Sequence, residues 1–146
     1  MSAAKIIYLD FDGVLHPSTP IDNVLFSRAH LLESVFENTT TSSAVSIVIS
    51  SSWRFTHSLT SLKAKLPHFL AQRVIDVTGP AVIGKHARYQ EITAHAYSND
   101  VVVQWRALDD SYWEFPSNCQ ELIRCNPNTG ISPKEVEQLS QWLSQD

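Results

Sequence analysis

Asp10 and Asp12 stand two residues apart, at the end of the apolar run Lys5-Ile6-Ile7-Tyr8-Leu9. In an extended segment residues i and i+2 share a side, so both carboxylates can face the same way. Asp109 and Asp110 end a second apolar run, and Ser50, Ser51 and Ser52 end a third. Two carboxylates about 4 Å apart repel by about 4 kcal/mol at an effective dielectric of 20. Three or four converging are tolerable only with a proton or a cation between them. An all-oxygen set of this kind suits Mg²⁺, which takes one or two carboxylates and keeps several waters.

A cation beside a carboxylate lets that carboxylate approach an anionic phosphate, which it would otherwise repel. Aspartate is then a nucleophile that passes through an aspartyl-phosphate. A second acid protonates the leaving oxygen and afterwards takes a proton from the hydrolytic water. A serine hydroxyl and a basic side chain hold the remaining phosphoryl oxygens. The acids and serines therefore outline phosphate chemistry, provided the fold brings them together.

The elements that must do so are legible as period and punctuation. Lys5–Leu9, Val45–Ile49 and Val101–Leu108 are continuous apolar, β-prone runs, the pattern of strands covered on both faces. Val74–Val77 and Glu121–Cys125 are shorter strand candidates. Helical spacing predicts helices over Asn23–Phe36 (Val24, Leu31, Leu32, Val35), over a segment with Leu59, Leu62 and Leu66 that stops before Pro67, and over His86–Tyr97 with Tyr89 and Ile92 inward. Thr39–Ser43 is a polar break, and Gly13, Gly79-Pro80 and Asn128-Thr129-Gly130 mark turns. Ser132-Pro133-Lys134-Glu135 is an N-cap, a proline at the first helical position and a capping-box glutamate, opening a last helix through Trp142 and Leu143. Strands alternating with helices predict a three-layer, doubly wound α/β fold around a mainly parallel sheet. Such sheets bind ligands beyond the carboxyl ends of their strands, where all three polar clusters fall.

Composition fits one globular domain over residues 1–146, with 43% hydrophobic and 18% charged residues. No run approaches the roughly 18 apolar residues of a membrane span, and the N-terminus lacks a secretory layout. Two cysteines, Cys119 and Cys125, are too few for a disulfide framework and point to a reducing compartment, most simply the cytoplasm. The net charge of −4 speaks against a protein that coats nucleic acid, though not against one that touches only a polynucleotide end.

Several residues carry a plainer reading. Asp10 and Asp12 alone resemble a strand-to-turn cap, and the serine run an N-cap, which is compatible with holding phosphate. Arg54 is either a solvated helix residue or a partner of a site acid or phosphate. His16, close after the Asp10/Asp12 pair, either touches substrate or, as the preferred reading, is a loop histidine satisfied by backbone. The four tryptophans (Trp53, Trp105, Trp113, Trp142) are scattered with no basic stripe between them, and read as core or site wall, not as a stacking platform. His57, His68, His86 and His95 lack zinc spacing and are assigned no role.

Asp10-Phe11-Asp12-Gly13-Val14-Leu15 resembles the first motif, DxDGxL, of the haloacid dehalogenase (HAD) superfamily. The serine run resembles its second motif and Asp109-Asp110 its acidic fourth motif. The fuller pattern DFDGVLHP, SSSWR, ALDD and NPNTGIS is similar to the small HAD domain that also occurs within multidomain RNA-repair proteins. A chain of 146 residues leaves no room for a ligase, kinase or methyltransferase partner, so the repair context is not carried over.

The resemblance implies a HAD-like, Rossmannoid fold and specific roles. Asp10 is the nucleophile and a Mg²⁺ ligand; Asp12 is the general acid/base, with its backbone carbonyl on the metal. Asp109 is a direct ligand and Asp110 a ligand through water or a second acid beside it. Ser51 is preferred to Ser50 as the phosphate-binding hydroxyl, and Arg88 to Lys85 as the third-motif base, since guanidinium holds phosphate oxygens bidentately.

About 30 residues separate the first motif from the second, room for one helix and a loop but no cap domain. A capless, open site resembles those of superfamily members that act on large substrates such as polynucleotide ends or phosphoproteins. The expected activity is Mg²⁺-dependent phosphomonoester hydrolysis. A non-catalytic module that holds a phosphorylated partner is the alternative, and a dehalogenase is a third reading, disfavoured because carbon–halogen displacement needs neither metal nor the acid doublet.

Overall fold

In the computed structural model, residues 4–37, 45–98 and 103–145 are described. Five strands form one fully parallel sheet: β1 (Ala4–Leu9), β2 (Val45–Ile49), β3 (Val74–Val77), β4 (Val103–Asp109) and β5 (Leu122–Arg124), in the order β3-β2-β1-β4-β5. The helices are α1 (Glu33–Glu37), α2 (Leu59–Lys65), α3 (His68–Ala71), α4 (Ala87–Ala96) and α5 (Pro133–Leu143). This is the α/β, Rossmann-like architecture that the alternation of patterns predicts.

Strand parity sorts the core into two layers. Ile7, Leu9, Ile47, Ile49 and Leu108 face α1, α2, α3 and α5 through Val35, Leu62, Leu70, Leu139 and Trp142. Tyr8, Val48 and Ala107 face the other way, onto Ile92 and Ala96 of α4, with Trp105 and Phe115 beside them. Both faces of the sheet are thus covered, which is why its strands read as continuous apolar runs. Lys5 is buried, and its ammonium donates to the carbonyls of Trp142 (3.0 Å), Leu143 (3.2 Å) and Gln145, capping the C-terminal end of α5.

The strand order reverses between β1 and β4. Chain order runs outward from β1 to β2 and β3 on one side and from β4 to β5 on the other. Ligands of open α/β sheets sit at such a reversal, beyond the carboxyl ends.

The stretch Asn23–Phe36 departs from the sequence reading. Helix is confined to a 3₁₀ turn over Ala29–Leu32 and to α1. Asp22, Asn23 and Phe26 hold left-handed backbone (φ 53°, 58° and 60°), which no continuous right-handed helix accommodates. Leu32 and Val35 are buried as their spacing predicts, whereas Val24 is exposed. The short α3 lacks the length for a periodic signal. Val101, Val102 and the break Thr39–Ser43 lie outside the described residues.

Candidate active site

Register brings the polar clusters together. Leu9 pairs with both Ile49 and Leu108, Ile49 pairs with Val77, and Asp109 with Arg124. The residues one step further along therefore form a single row across the carboxyl rim: Thr78, Ser50, Asp10, Asp109 and Arg124. Two bonds continue the ladder into it, Asp10 N–H to Leu108 O (3.1 Å) and Ser50 N–H to Leu9 O (3.0 Å). Asp10, Ser50 and Asp109 each lie two residues beyond Tyr8, Val48 and Ala107, so by parity they continue the face covered by α4.

Carboxylate oxygens of Asp10, Asp109 and Asp110 lie within 4.8 Å of one another, with Asp10 and Asp109 buried. Burial drives the Asp10 carboxyl well above the usual carboxylate range, and the neighbouring Asp109 charge raises it further. Burial likewise pushes Asp109 up to about 6, although Arg88 and the Ser111 N–H pull it down. The three acids hold together as a charged group only with a counter-charge among them. Their all-oxygen donor set and mixed burial suit Mg²⁺, which fits the residues present.

Gly13 makes room for this group. It adopts φ +79°, and a Cβ there would stand 2.2 Å from Asp110 Oδ2. The same turn is closed by Gly13 N–H to His16 O (2.9 Å) and Leu15 N–H to Phe11 O (2.9 Å).

Arg88 reaches in from the first turn of α4. Its Nη1 lies 2.7 Å from Asp109 Oδ2 and 3.5 Å from Asp10 Oδ1, with Glu91 and Glu114 close behind. Burial opposes its charge, yet the surrounding carboxylates, Asp109 foremost, hold the guanidinium above its ordinary range. Lys85 is exposed and forms no ion pair among the described residues. Of the two basic candidates, only Arg88 stands among the acids.

Asp12 faces elsewhere. Its carboxylate is half-exposed and is not one of the three oxygens above. Oδ1 lies 2.7 Å from His16 Nε2, and Oδ2 accepts from the indole Nε1–H of Trp53 at 3.0 Å. His16 is fully buried, and its Nδ1 accepts the backbone N–H of Phe26 at 3.2 Å. With Nδ1 accepting, the neutral ring carries its proton on Nε2 and donates it to Asp12. Phe11, Phe26, Trp53 and His57 pack around this pair at ring separations of 5.3–5.8 Å. The sequence reading of His16 as a backbone-satisfied loop residue is thus half the picture, because its other nitrogen orients Asp12. The signal was its position four residues after Asp12.

The two serines differ in what their hydroxyls already do. Ser51 is the N-cap of the 3₁₀ turn Ser52–Phe55, and its Oγ accepts from Trp53 N–H at 3.2 Å. Ser50 Oγ is buried without a hydrogen-bond partner, as is Thr78 Oγ1 beside it in the row. A buried unpaired hydroxyl costs free energy unless a ligand completes it. Ser50 also shares Asp10's row and face, which Ser51 does not.

Arg54 neither contacts solvent as a helix residue nor pairs with the acid trio. Its Nη1 donates to the carbonyls of Ser50 (2.9 Å) and Ser51 (3.0 Å), and its Nε to those of Thr78 (3.2 Å) and Gly79 (3.1 Å). Nη2 meets Glu91 Oε1 at 2.7 Å, and Glu91 Oε2 accepts Val82 N–H at 3.0 Å. One guanidinium therefore ties the ends of β2 and β3 to α4, three residues along from Arg88. Glu91 escaped the sequence reading, its one signal being the i, i+3 spacing from Arg88. His95, also given no role, links Tyr8 Oη (2.9 Å) to Asp76 (2.8 Å). Trp105 and Trp142 are core and Trp53 is site wall, as the sequence suggests, but Trp113 is 67% exposed and belongs to neither class.

A parallel five-stranded sheet with an aspartate directly after β1 and an acid doublet at the carboxyl end of β4 is the arrangement of a HAD-like domain. Residues 6–136 match the family described as the HAD domain in Swiss Army Knife RNA repair proteins, and the chain belongs to that family. Its superfamily consists mostly of phosphatases and typically uses Mg²⁺. No curated protein and no solved structure matches the chain.

Proposed function

We infer that this chain is a Mg²⁺-dependent phosphomonoester hydrolase with Asp10 as nucleophile. The observation that carries this reading is the convergence of Asp10, Asp109 and Asp110 at the β1/β4 reversal, with Arg88 against them. Asp10, Asp109 and Asp110, with the backbone carbonyl of Asp12, would hold the ion, whose chemistry is to neutralise the acids and the phosphoryl oxygens together.

An Asp10 carboxylate oxygen attacks phosphorus, and the bond from phosphorus to the ester oxygen breaks. Protonated Asp12 gives its proton to that departing oxygen. Asp12, now a carboxylate, takes a proton from a water whose oxygen attacks the same phosphorus. The phosphorus–Asp10 bond breaks, releasing inorganic phosphate and restoring Asp10. Arg88 and the unpaired Ser50 hydroxyl hold the non-reacting oxygens, with Ser51 adding the proton its cap leaves free. His16 and Trp53 hold Asp12 in line throughout.

Among the described residues, no element between β1 and β2 or between β2 and β3 is large enough to close over the rim. An open mouth suits a large phosphoester, and the family's description in terms of RNA repair favours a polynucleotide end. The free thiols Cys119 and Cys125 suit a reducing, cytoplasmic setting, and no described helix is long and apolar enough to cross a membrane.

The test is release of phosphate from an aryl phosphate and from a panel of phosphorylated nucleotides, sugars, peptides and 3′- or 5′-phosphorylated oligonucleotides, with and without Mg²⁺. Turnover that requires Mg²⁺ and disappears in Asp10→Asn is expected. Equal turnover in that variant would remove Asp10 from its role, and inactivity on the whole panel would leave a phosphate-binding module.

A further inference from the structure

The row of rim residues does not stop at the acids. Arg124 is its last member, on β5, two strand spacings or about 10 Å from Asp10. Arg124 Nε donates to the backbone carbonyl of Asp110 at 3.3 Å, and its guanidinium lies 4.6 Å from the ring centre of Tyr112. Tyr112 meets Trp113 edge-on at 5.5 Å, and the two rings are 62% and 67% exposed. Arg124 and Lys134 line one polar cleft of about 600 Å³ with Asn126, Asn128 and Thr129, and the one carboxylate on its wall, Glu135, is buried and accepts from Ser132 N–H (3.1 Å) and Oγ (2.9 Å). The cleft is anchored to the acid site by its backbone, since Cys125 N–H donates to Asp109 O at 2.9 Å. Among the described residues neither cation is in an ion pair, in contrast with Arg54 and Arg88 on the opposite side of the row.

We propose that the Arg124/Lys134 cleft and the Tyr112–Trp113 pair form a subsite for the nucleotide adjoining the terminal phosphate of a single strand. Charge and shape both argue for this occupant. Unpaired cations attract phosphodiesters, and exposed rings offer faces on which any base can stack. A molecule of net charge −4 that places two unpaired cations beside three carboxylates directs an anion to one edge of them. The cleft is large enough for a nucleotide-sized group. The spatial arrangement supplies the interleaving of aromatic and basic residues that the linear order lacks: Arg124 is far from Trp113 in sequence and one ring away from it in space.

The subsite rests on the hydrolase reading only for the identity of the terminal phosphate; the strand itself is recognised without turnover. The test therefore uses full-length Asp10→Asn protein, and titrates it with fluorescent 5-mers bearing a terminal 3′- or 5′-phosphate, with the corresponding mononucleotides, and with a phosphopeptide. The 5-mer of one polarity is expected to bind at least about tenfold tighter than its mononucleotide, stacking supplying that gain. Trp113→Ala should return the 5-mer to within a few-fold of the mononucleotide. Lys134→Glu should do likewise and lower the salt-dependence slope by about 0.7, the loss of one phosphate contact. A glutamate near the start of α5 suits the helix dipole, so an unfolded variant is not the expected outcome, and an unchanged melting temperature checks it.

Equal affinity for 5-mer and mononucleotide, indifference to both substitutions, or equal binding of the phosphopeptide would each overturn the proposal. The two readings fail separately. A chain that binds the 5-mer through Trp113 and Lys134 but hydrolyses nothing keeps the subsite and loses the enzyme. A chain that hydrolyses mononucleotides and oligonucleotides alike, with equal affinities, keeps the enzyme and loses the subsite.

Discussion

Gly13 and Asp110 occupy space that only one side chain can fill: a Cβ on Gly13 would lie 2.2 Å from Asp110 Oδ2. The backbone there is also left-handed, at φ +79°. Gly13→Ala therefore carries two penalties, strain at the turn and displacement of an acid. A loss of more than about 1 kcal/mol is expected, which is roughly 2–4 °C in melting temperature for a chain of this size. Titration calorimetry should show weakened Mg²⁺ binding in the same variant. Wild-type stability and wild-type Mg²⁺ affinity together would mean that the turn and the acid are not coupled.

Asp10→Asn separates stability from activity. The substitution removes one of three crowded carboxylates, so without Mg²⁺ the melting temperature at neutral pH should rise. Turnover should fall by at least about a thousandfold, because the proposed nucleophile is removed. A variant that is less stable than wild type without metal would contradict the repulsion on which the site is built.

The acids also set a pH dependence. Asp109 is pushed up to about 6 and Asp10 is raised as well, both chiefly by burial, whereas an unfolded carboxyl titrates near about 4. The folded chain thus holds more protons than the unfolded chain between these values. The contribution of Asp109 to stability is full below about pH 4 and is lost as pH rises through about 6, and the raised Asp10 carboxyl acts in the same direction. The difference in melting temperature between wild type and Asp109→Asn, measured without metal, should move against the wild type across that window. Mg²⁺ should restore the loss at neutral pH and do little at about pH 4, where protons already serve.

How much of this was readable beforehand differs by residue. The strands announced themselves because both faces are buried, and the acids because charges at the ends of such strands have no packing reason to be there. The order β3-β2-β1-β4-β5 then put Asp10 beside Asp109, as the alternation of elements implied. Local period failed at Asn23–Phe36, where left-handed Asn23 and Phe26, following left-handed Asp22, turn the chain so that the Phe26 N–H meets His16. No spacing rule reports that. The register that sets Ser50, and not Ser51, in the row with Asp10 comes from pairing between strands, and a single strand's sequence does not contain it. Arg54 was ambiguous for a related reason, since four of its five acceptors are carbonyl oxygens, which every residue has.

His16 offers a test of Asp12 that leaves Asp12 in place. His16→Ala frees Oδ1 of Asp12, which now loses its 2.7 Å partner. If Asp12 delivers the leaving-group proton, kcat should drop by about 10–100-fold for alkyl phosphates and far less for aryl phosphates with acidic leaving groups, which depart without help. KM should change little. His16→Gln, which keeps a donor within reach, should recover part of the alkyl phosphate rate. An equal drop on both substrate classes would make His16 a packing residue only.

Arg54 binds the backbone of two strand ends with one planar group and binds Glu91 on α4 with the same group. The serine loop and the helix that delivers Arg88 are consequently fastened to a shared rivet. A displacement of either one would drag the other, so Ser50 and Arg88, the two proposed phosphate-holding groups, are held at a set separation. The spacing between the serine loop and Arg88 thereby depends on one side chain, Arg54.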